Sequence, residues 1–295
     1  MSNQSAIAAR RPPEGFTEQR TNVNGVDINY VRGGQGPTVV LLHGYPQTWY
    51  AWHEVMPELA KKYTVIAPDM RGAGDSDAPD SGYDKKTLAG DVHGLLTQLG
   101  LDKSIRIVAH DIGSMVGYTY AALHPEDVER LVFAEAVVPD EGIFSMPVLT
   151  PEGPGHWNFG LFQVPEFPES LIKGRELGWV RGYIIPQAKS PEAIDESSLE
   201  EYARCLASDD AHLSGSLGPF RALVHDMADM AELKKTKIPM PVLAIGASDS
   251  LGASVGTQLG HYAENVQSLV IEDAGHYLFD EQPEEMIGHV LPFLE

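Results

Sequence analysis

The chain has 295 residues, with 42 acidic against 21 basic side chains and a formal net charge of −21. This length suits one large α/β domain or two small ones, and so negative a surface argues against nucleic acid and membranes as partners. The single cysteine, Cys205, leaves no disulfide framework and no thiolate metal site within the chain.

Residues 1–18 are polar and Pro-containing and read as a loosely held N-terminal arm. The arm has no apolar segment of signal-peptide type, and no apolar run reaches membrane-span length, so a cytoplasmic protein is expected. "TNVNGVDINYVRGG" then predicts two strands joined at Asn24-Gly25, a dipeptide that favours a type I′ hairpin turn. "TVVLLHG" (38–44) is almost wholly apolar, as expected of a strand covered by helices on both faces. Segments 63–69, 105–111, 130–137 and 240–249 repeat that form, 267–275 reads as a final strand, and helical patterns fall at 50–61, 86–99, 113–124 and in the C-terminal "PEEMIGHVLPFL". Alternating strands and helices predict an α/β fold with a mostly parallel, eight-stranded sheet flanked by helices. The alternation stops at 139–236, where Pro, aromatics and short helix signals dominate, including a helix start at Ser190-Pro191. That stretch reads as a helical lid inserted after strand 6, leaving 19–138 and 237–295 as the core.

His110-Asp111 invites two readings. A metal-gripping His-Asp pair needs a helical setting and converging His and Asp partners, and no His/Cys/Asp cluster with convincing metal spacing accompanies it. The setting is instead a strand, "RIVA", then a turn, then a helix start, "GSMVG". This is the small-x-nucleophile-x-small pattern of a nucleophile elbow, Ala109-His110-Asp111-Ile112-Gly113, in which Asp111 is the reagent and His110 a bystander. Small residues are expected on both sides because the tight turn presses them together. The plain alternative is that Asp111 only caps the following helix.

Three further motifs favour the elbow. His43-Gly44-Tyr45-Pro46 can aim the Tyr45 N–H at the elbow, forming an oxyanion hole with the N–H of Ile112. "PDMRGAGDSDAP" is a Gly-rich turn that reads as scaffolding, and Gly275-His276 stands between the last strand and the last helix. Together these motifs, from residue 38 to 294, resemble the α/β-hydrolase superfamily. The Asp nucleophile is similar to the branch that holds epoxide hydrolases, haloalkane dehalogenases and haloacetate dehalogenases.

An aspartate attacking a saturated carbon forms an ester of the enzyme, which water can then cleave at the carbonyl. Asp111 therefore points to a small apolar electrophile, an epoxide or a carbon–halogen bond, with His276 as base and neither cofactor nor metal. Two carboxylates are candidates to orient His276: Glu135, where several Asp-nucleophile relatives carry their acid, is preferred to Asp249, the more general hydrolase position. The resemblance implies two lid donors for an epoxide oxygen, and by position they fall at Asn158 and Phe220. Phe220 cannot donate a hydrogen bond, which leaves His156, Tyr183 or another lid group to substitute. Trp49, His156, Trp157, Asn158 and Phe220 are the expected pocket residues. Dehalogenase features depart further: Ile112 stands where a Trp or Arg is expected and Met115 where a second Arg is. The reading is an epoxide hydrolase, with a dehalogenase using the same nucleophile as the alternative. A ligand-binding protein that keeps the fold without hydrolysis is the reading of another class. A homodimer is the candidate assembly.

Overall fold

The computed structural model describes residues 8–151 and 153–295, so residues 1–7 of the expected arm lie outside it. Asn24 and Gly25 both take positive φ, 53° and 82°, which closes the expected hairpin between β1 (Phe16–Val23) and β2 (Val26–Gly33). The arm is shorter and better held than expected. β1 begins at Phe16, and Arg10 donates to Ser197 O at 3.2 Å and pairs with Glu200 at 2.6 Å.

The next strands are β3 (Thr38–Leu42), β4 (Thr64–Pro68), β5 (Ile105–His110) and β6 (Val128–Ala134). Side chains alternate between two cores, as strand geometry requires. Val40, Leu42, Ile107 and Phe133 face one, and Val39, Leu41, Val108 and Val132 the other. Helix α1 (Met56–Leu59) replaces the long helix expected at 50–61 and follows a short 3-10 turn, Trp49–Trp52. Pro57 is the reason: it has no N–H and would strike the carbonyl four residues back, so it opens a new helix instead of continuing one. Helices α2 (Lys85–Leu99) and α3 (Ile112–Leu123) agree with expectation to within a residue.

After β6 the chain leaves the sheet for the lid. The lid holds a small ribbon, β7 (Leu149–Thr150) with β8 (Gly153–Pro154), and helices α4 (Trp157–Leu161), α5 (Phe167–Ile172) and α6 (Glu176–Ile184). It continues through α7 (Glu196–Leu206), α8 (Asp210–Arg221) and α9 (Leu223–Leu233). Ser190-Pro191 opens only a 3-10 turn, and α7 is capped by Asp195, whose carboxylate accepts the Ser197 N–H at 3.1 Å. The core resumes with β9 (Ile238–Ala247), α10 (Ser254–Leu259), β10 (Ala263–Ile271), α11 (Leu278–Glu281) and α12 (Pro283–Leu294). α10 was not foreseen.

The eight sheet strands run in the order β1-β2-β4-β3-β5-β6-β9-β10. β2 is antiparallel to both neighbours, and every pairing from β4 to β10 is parallel. The order reverses at β3 and β5, so their carboxyl ends bound the crevice where such sheets bind ligands. Gly44 and Asp111 follow those two ends. Among the described residues, no helix is long and apolar enough to cross a membrane.

Candidate active site

Asp111 sits at φ 50° and ψ −126°, a conformation L-residues avoid, between the end of β5 and the first residue of α3. Its side chain makes no capping bond to α3; its Oδ2 instead accepts the Tyr45 N–H at 2.9 Å. The plain capping role is thereby set aside. Ile112 opens α3, so its N–H is one of the helix's free N-terminal donors.

The close approach that makes the elbow involves different partners from those expected. A Cβ on Gly113 would stand 2.1 Å from Leu42 O, and one on Gly44 would stand 2.5 Å from Asp111 Cβ. Gly113 is small because of β3, not because of Ala109. Ala109 packs one turn further along, where Gly117 comes near it. His43 fixes the turn after β3: its Nδ1 lies 2.9 Å from Gly44 O and its Nε2 accepts the Met70 N–H at 3.2 Å. Burial pushes its imidazole down to about 4, so the ring is neutral. The Gly-rich turn after β4 is scaffolding as read, with Asp69 accepting N–H groups from Trp49 and Asp75 at 2.7 and 3.1 Å.

Glu135 follows β6 at φ 47° and is buried. Its Oε1 accepts the Ala247 N–H at 2.7 Å, and its Oε2 lies 3.1 Å from His276 Nδ1. Asp249 is exposed and pairs with Lys189 at 2.6 Å, away from the histidine. Burial alone would lower the His276 pKa, but the Glu135 hydrogen bond and the Asp111 charge outweigh it and hold the ring above its ordinary 6.5.

His276 is also gripped through its main chain. Its N–H donates to Gln187 O of the lid at 2.9 Å, and its carbonyl oxygen lies 2.7 Å from His110 Nε2. His110 is therefore no bystander in the structure. Glu281 adds a clamp that sequence reasoning missed. Its carboxylate accepts N–H groups from Gly275 and Tyr277, at 3.0 and 3.2 Å, and from Lys189 and Ser190 of the lid, at 2.7 and 3.0 Å. No sequence pattern announces a carboxylate whose partners are all backbone.

Asp111, Glu135 and His276 border a pocket with an open space of about 460 Å³, part of it continuous with solvent. Its lid side carries His156, Asn158 and Tyr183, with Met115, Met146 and Phe159 supplying apolar wall. Asn158 Nδ2 donates to Tyr183 Oη at 2.8 Å. Burial and the nearby Asp111 charge hold the Tyr183 hydroxyl well above its ordinary pKa. His156 Nδ1 is buried with no hydrogen-bond partner. Three expected pocket residues are elsewhere. Trp49 is buried in the core on the far face of the sheet. Trp157 packs edge-on against Trp179 and Tyr183, and Phe220 is buried against Tyr45 and Phe162. They are large apolar surfaces, and the cores outcompete the pocket for them.

Among the described residues, one group could gather round a metal ion: His93, His124 and Asp127. The two imidazoles are stacked 3.9 Å apart with planes 3° from parallel, so their in-plane lone pairs do not converge on one point. Asp127 is already paired with Lys103 at 2.5 Å. The group lies at the far end of α3 from Asp111.

Comparison with known proteins agrees with this architecture. The family described as alpha/beta hydrolase fold matches residues 37–171. A soluble epoxide hydrolase of Corynebacterium sp. (strain C12) is 33% identical over 94% of this chain and 97% of its own length. A fluoroacetate dehalogenase of Burkholderia sp. is 30% identical over 95% of this chain and 94% of its own. The crystal structure of Cfl2 from Burkholderia cenocepacia superposes with a TM-score of 0.89 at 34% identity, covering 97% of this chain and 99% of that one. The chain belongs to the α/β-hydrolase family.

Proposed function

We propose that the protein is an epoxide hydrolase working through a covalent ester on Asp111. The Asp111 carboxylate attacks a ring carbon, the carbon–oxygen bond breaks, and the departing oxygen takes a proton from Tyr183. His276, oriented by Glu135, then draws a proton from water, which adds to the ester carbonyl. The oxyanion is held by the N–H groups of Tyr45 and Ile112 until it collapses; the diol oxygen then leaves with the proton held by His276, the second water proton returns to Tyr183, and the carboxylate is restored. The chain's relatedness to the Corynebacterium epoxide hydrolase supports this reading.

One observation carries it: Tyr183 and Asp111 line the same pocket, and the Asp111 charge acts on the Tyr183 hydroxyl. The Asn158 amide occupies an acceptor site on Tyr183 Oη, which leaves the phenolic proton free for the substrate. Tyr183 thus supplies the donor that Phe220 cannot. Its high pKa keeps it protonated and falls back as Asp111 loses its charge to the ester. The apolar walls favour a small apolar electrophile, and the net charge of −21 suits a protein dissolved in the cytoplasm.

The second reading, dehalogenation, draws on the fluoroacetate dehalogenase relative and on the carbon-attacking role proposed for Asp111, which both chemistries share. Ile112 and Met115 give a haloacid carboxylate nothing to bind. Diol formation and halide release, assayed side by side with epoxides and haloalkanes, separate the two. Tyr183→Phe should slow epoxide opening by about 10²-fold with an unchanged circular dichroism spectrum. Full activity in that variant would remove Tyr183 from the mechanism.

A further inference from the structure

His110, next to the nucleophile, takes part in neither chemical step, yet it is buried with both ring nitrogens engaged. Nε2 lies 2.7 Å from the His276 carbonyl oxygen. Nδ1 lies 3.2 Å from Gln47 Oε1, and Gln47 Nε2 lies 3.2 Å from Asp280 Oδ2. We propose that His110 is a positioning residue, which holds the main chain of the base His276 through a proton-ordered chain running from Asp280 by way of Gln47. The proposal rests on the reading of Asp111 as nucleophile and His276 as base.

Counting protons orders the chain. A carbonyl brings none, so His110 Nε2 must carry one. Burial and the neighbouring His276 push the ring down to about 4, so it is neutral and Nδ1 is a bare acceptor. The proton count therefore exchanges the two ends of the Gln47 amide, turning its NH₂ to Nδ1 and its oxygen to Asp280; the two ends of an amide are told apart by such partners. An oxygen facing a carboxyl group requires that group to hold a proton. Asp280 fits, because burial and the adjacent Glu281 push it up to about 7, against an opposing Gln47 hydrogen bond. Glu54 and Asp195 face it as well and add to the rise. Tyr202 and Tyr277 also face it, and burial keeps both hydroxyls protonated. At the other end of the chain, Asp111 and Glu135 face His110.

The assembled chain runs Asp280 O–H to Gln47 oxygen, Gln47 N–H to His110 Nδ1, and His110 Nε2–H to the His276 carbonyl. Each of the three acceptors meets one donor. Ionising Asp280 reverses the logic. The carboxylate draws the Gln47 NH₂ toward itself, the carboxamide oxygen turns to Nδ1, and the ring proton must move there. Nε2 then faces the His276 carbonyl with a lone pair, and the grip is lost. The grip holds below about pH 7 and loosens above it.

The test uses the full chain and styrene oxide, with rapid-quench mass spectrometry of the Asp111 peptide. His276 acts only in the second step. His110→Phe should therefore form the adduct at the wild-type rate and lose it about tenfold more slowly; damage to the fold would slow both steps. Asp280→Asn keeps a donor to Gln47 but cannot ionise, so it should retain adduct hydrolysis above about pH 7, where the wild type declines. Gln47→Leu breaks the chain by a second route should His110→Phe not fold. Ring-nitrogen NMR of labelled histidines reads the chain without substrate. The His110 signal should report an Nε2–H tautomer that changes through about pH 7 in the wild type and not in Asp280→Asn. An Nδ1–H tautomer at low pH, or wild-type adduct decay in His110→Phe, overturns the proposal. Absence of any adduct in the wild type would overturn the Asp111 reading instead, and the NMR result would still decide the tautomer.

Discussion

In the proposed mechanism the first chemical step removes the charge of Asp111. In the free protein this charge and the Glu135 hydrogen bond hold His276 above its ordinary 6.5 despite burial. Alkylation turns the carboxylate into a neutral ester, so His276 sheds its proton at the stage where it must be neutral to act as base. Asp111→Asn imitates that loss of charge. It should abolish turnover, and the His276 titration followed by NMR should move to lower pH than in the wild type. An unchanged titration would show that the Asp111 charge does not reach the ring. His276→Gln should accumulate the ester, visible as a mass increase on the Asp111 peptide with an epoxide substrate. At this scale the sequence singled out Asp111, Glu135 and His276 by their places after strands, and the structure brings the three to one pocket. It was silent on Glu281, whose partners are backbone N–H groups, and it misread His110, whose partner is a carbonyl 166 residues away.

The elements meet around two backbone contacts that tolerate little change. Helix α3 starts so close to the end of β3 that a methyl on Gly113 would stand 2.1 Å from Leu42 O and 2.5 Å from His43 O. Gly113→Ala must push the helix away from the strand, at a cost of about 1–3 kcal/mol, read from the denaturation midpoint. The same shift would carry Ile112 N–H away from the oxyanion, so activity should fall further than stability accounts for. The second contact joins the His276 loop to the lid through Glu281. Glu281→Gln replaces one accepting oxygen with an NH₂ facing N–H groups, leaving buried donors unpaired at about 1–3 kcal/mol. Strand and helix periodicity placed β3, β5, α2 and α3 well because each follows one pattern from end to end. It failed at 50–61, where a helical run contains Pro57, and at α10, whose six residues are too few to show a period. In the lid, apolar residues serve packing and pocket alike, so Trp157 and Phe220 could not be assigned by type.

For the whole molecule, buried titratable groups oppose one another as pH changes. Burial lowers His43 and His110 to about 4, so the native state resists their protonation. Their contribution to stability rises with pH from about 4 to their unfolded value near 6.5. Asp69 and Asp280 go the other way. Burial raises both to about 7 from 3.8, so the native state binds more protons than the unfolded chain, and stability falls as pH rises across that window. Two rising and two falling contributions leave a shallow dependence between about pH 4 and 6.5. Above that window the Asp contribution and the mutual repulsion of a chain at −21 both lower stability, and added salt should relieve the second. Asp280→Asn isolates one of these contributions. Its unfolding free energy relative to the wild type should climb steadily from about pH 4 to 7, because the variant has no carboxyl to ionise inside the fold. Denaturant melts at intervals across that range measure it. A difference that stays level would mean that Asp280 is already ionised in the native protein, and the proton order from Asp280 to His276 would have to be drawn the other way.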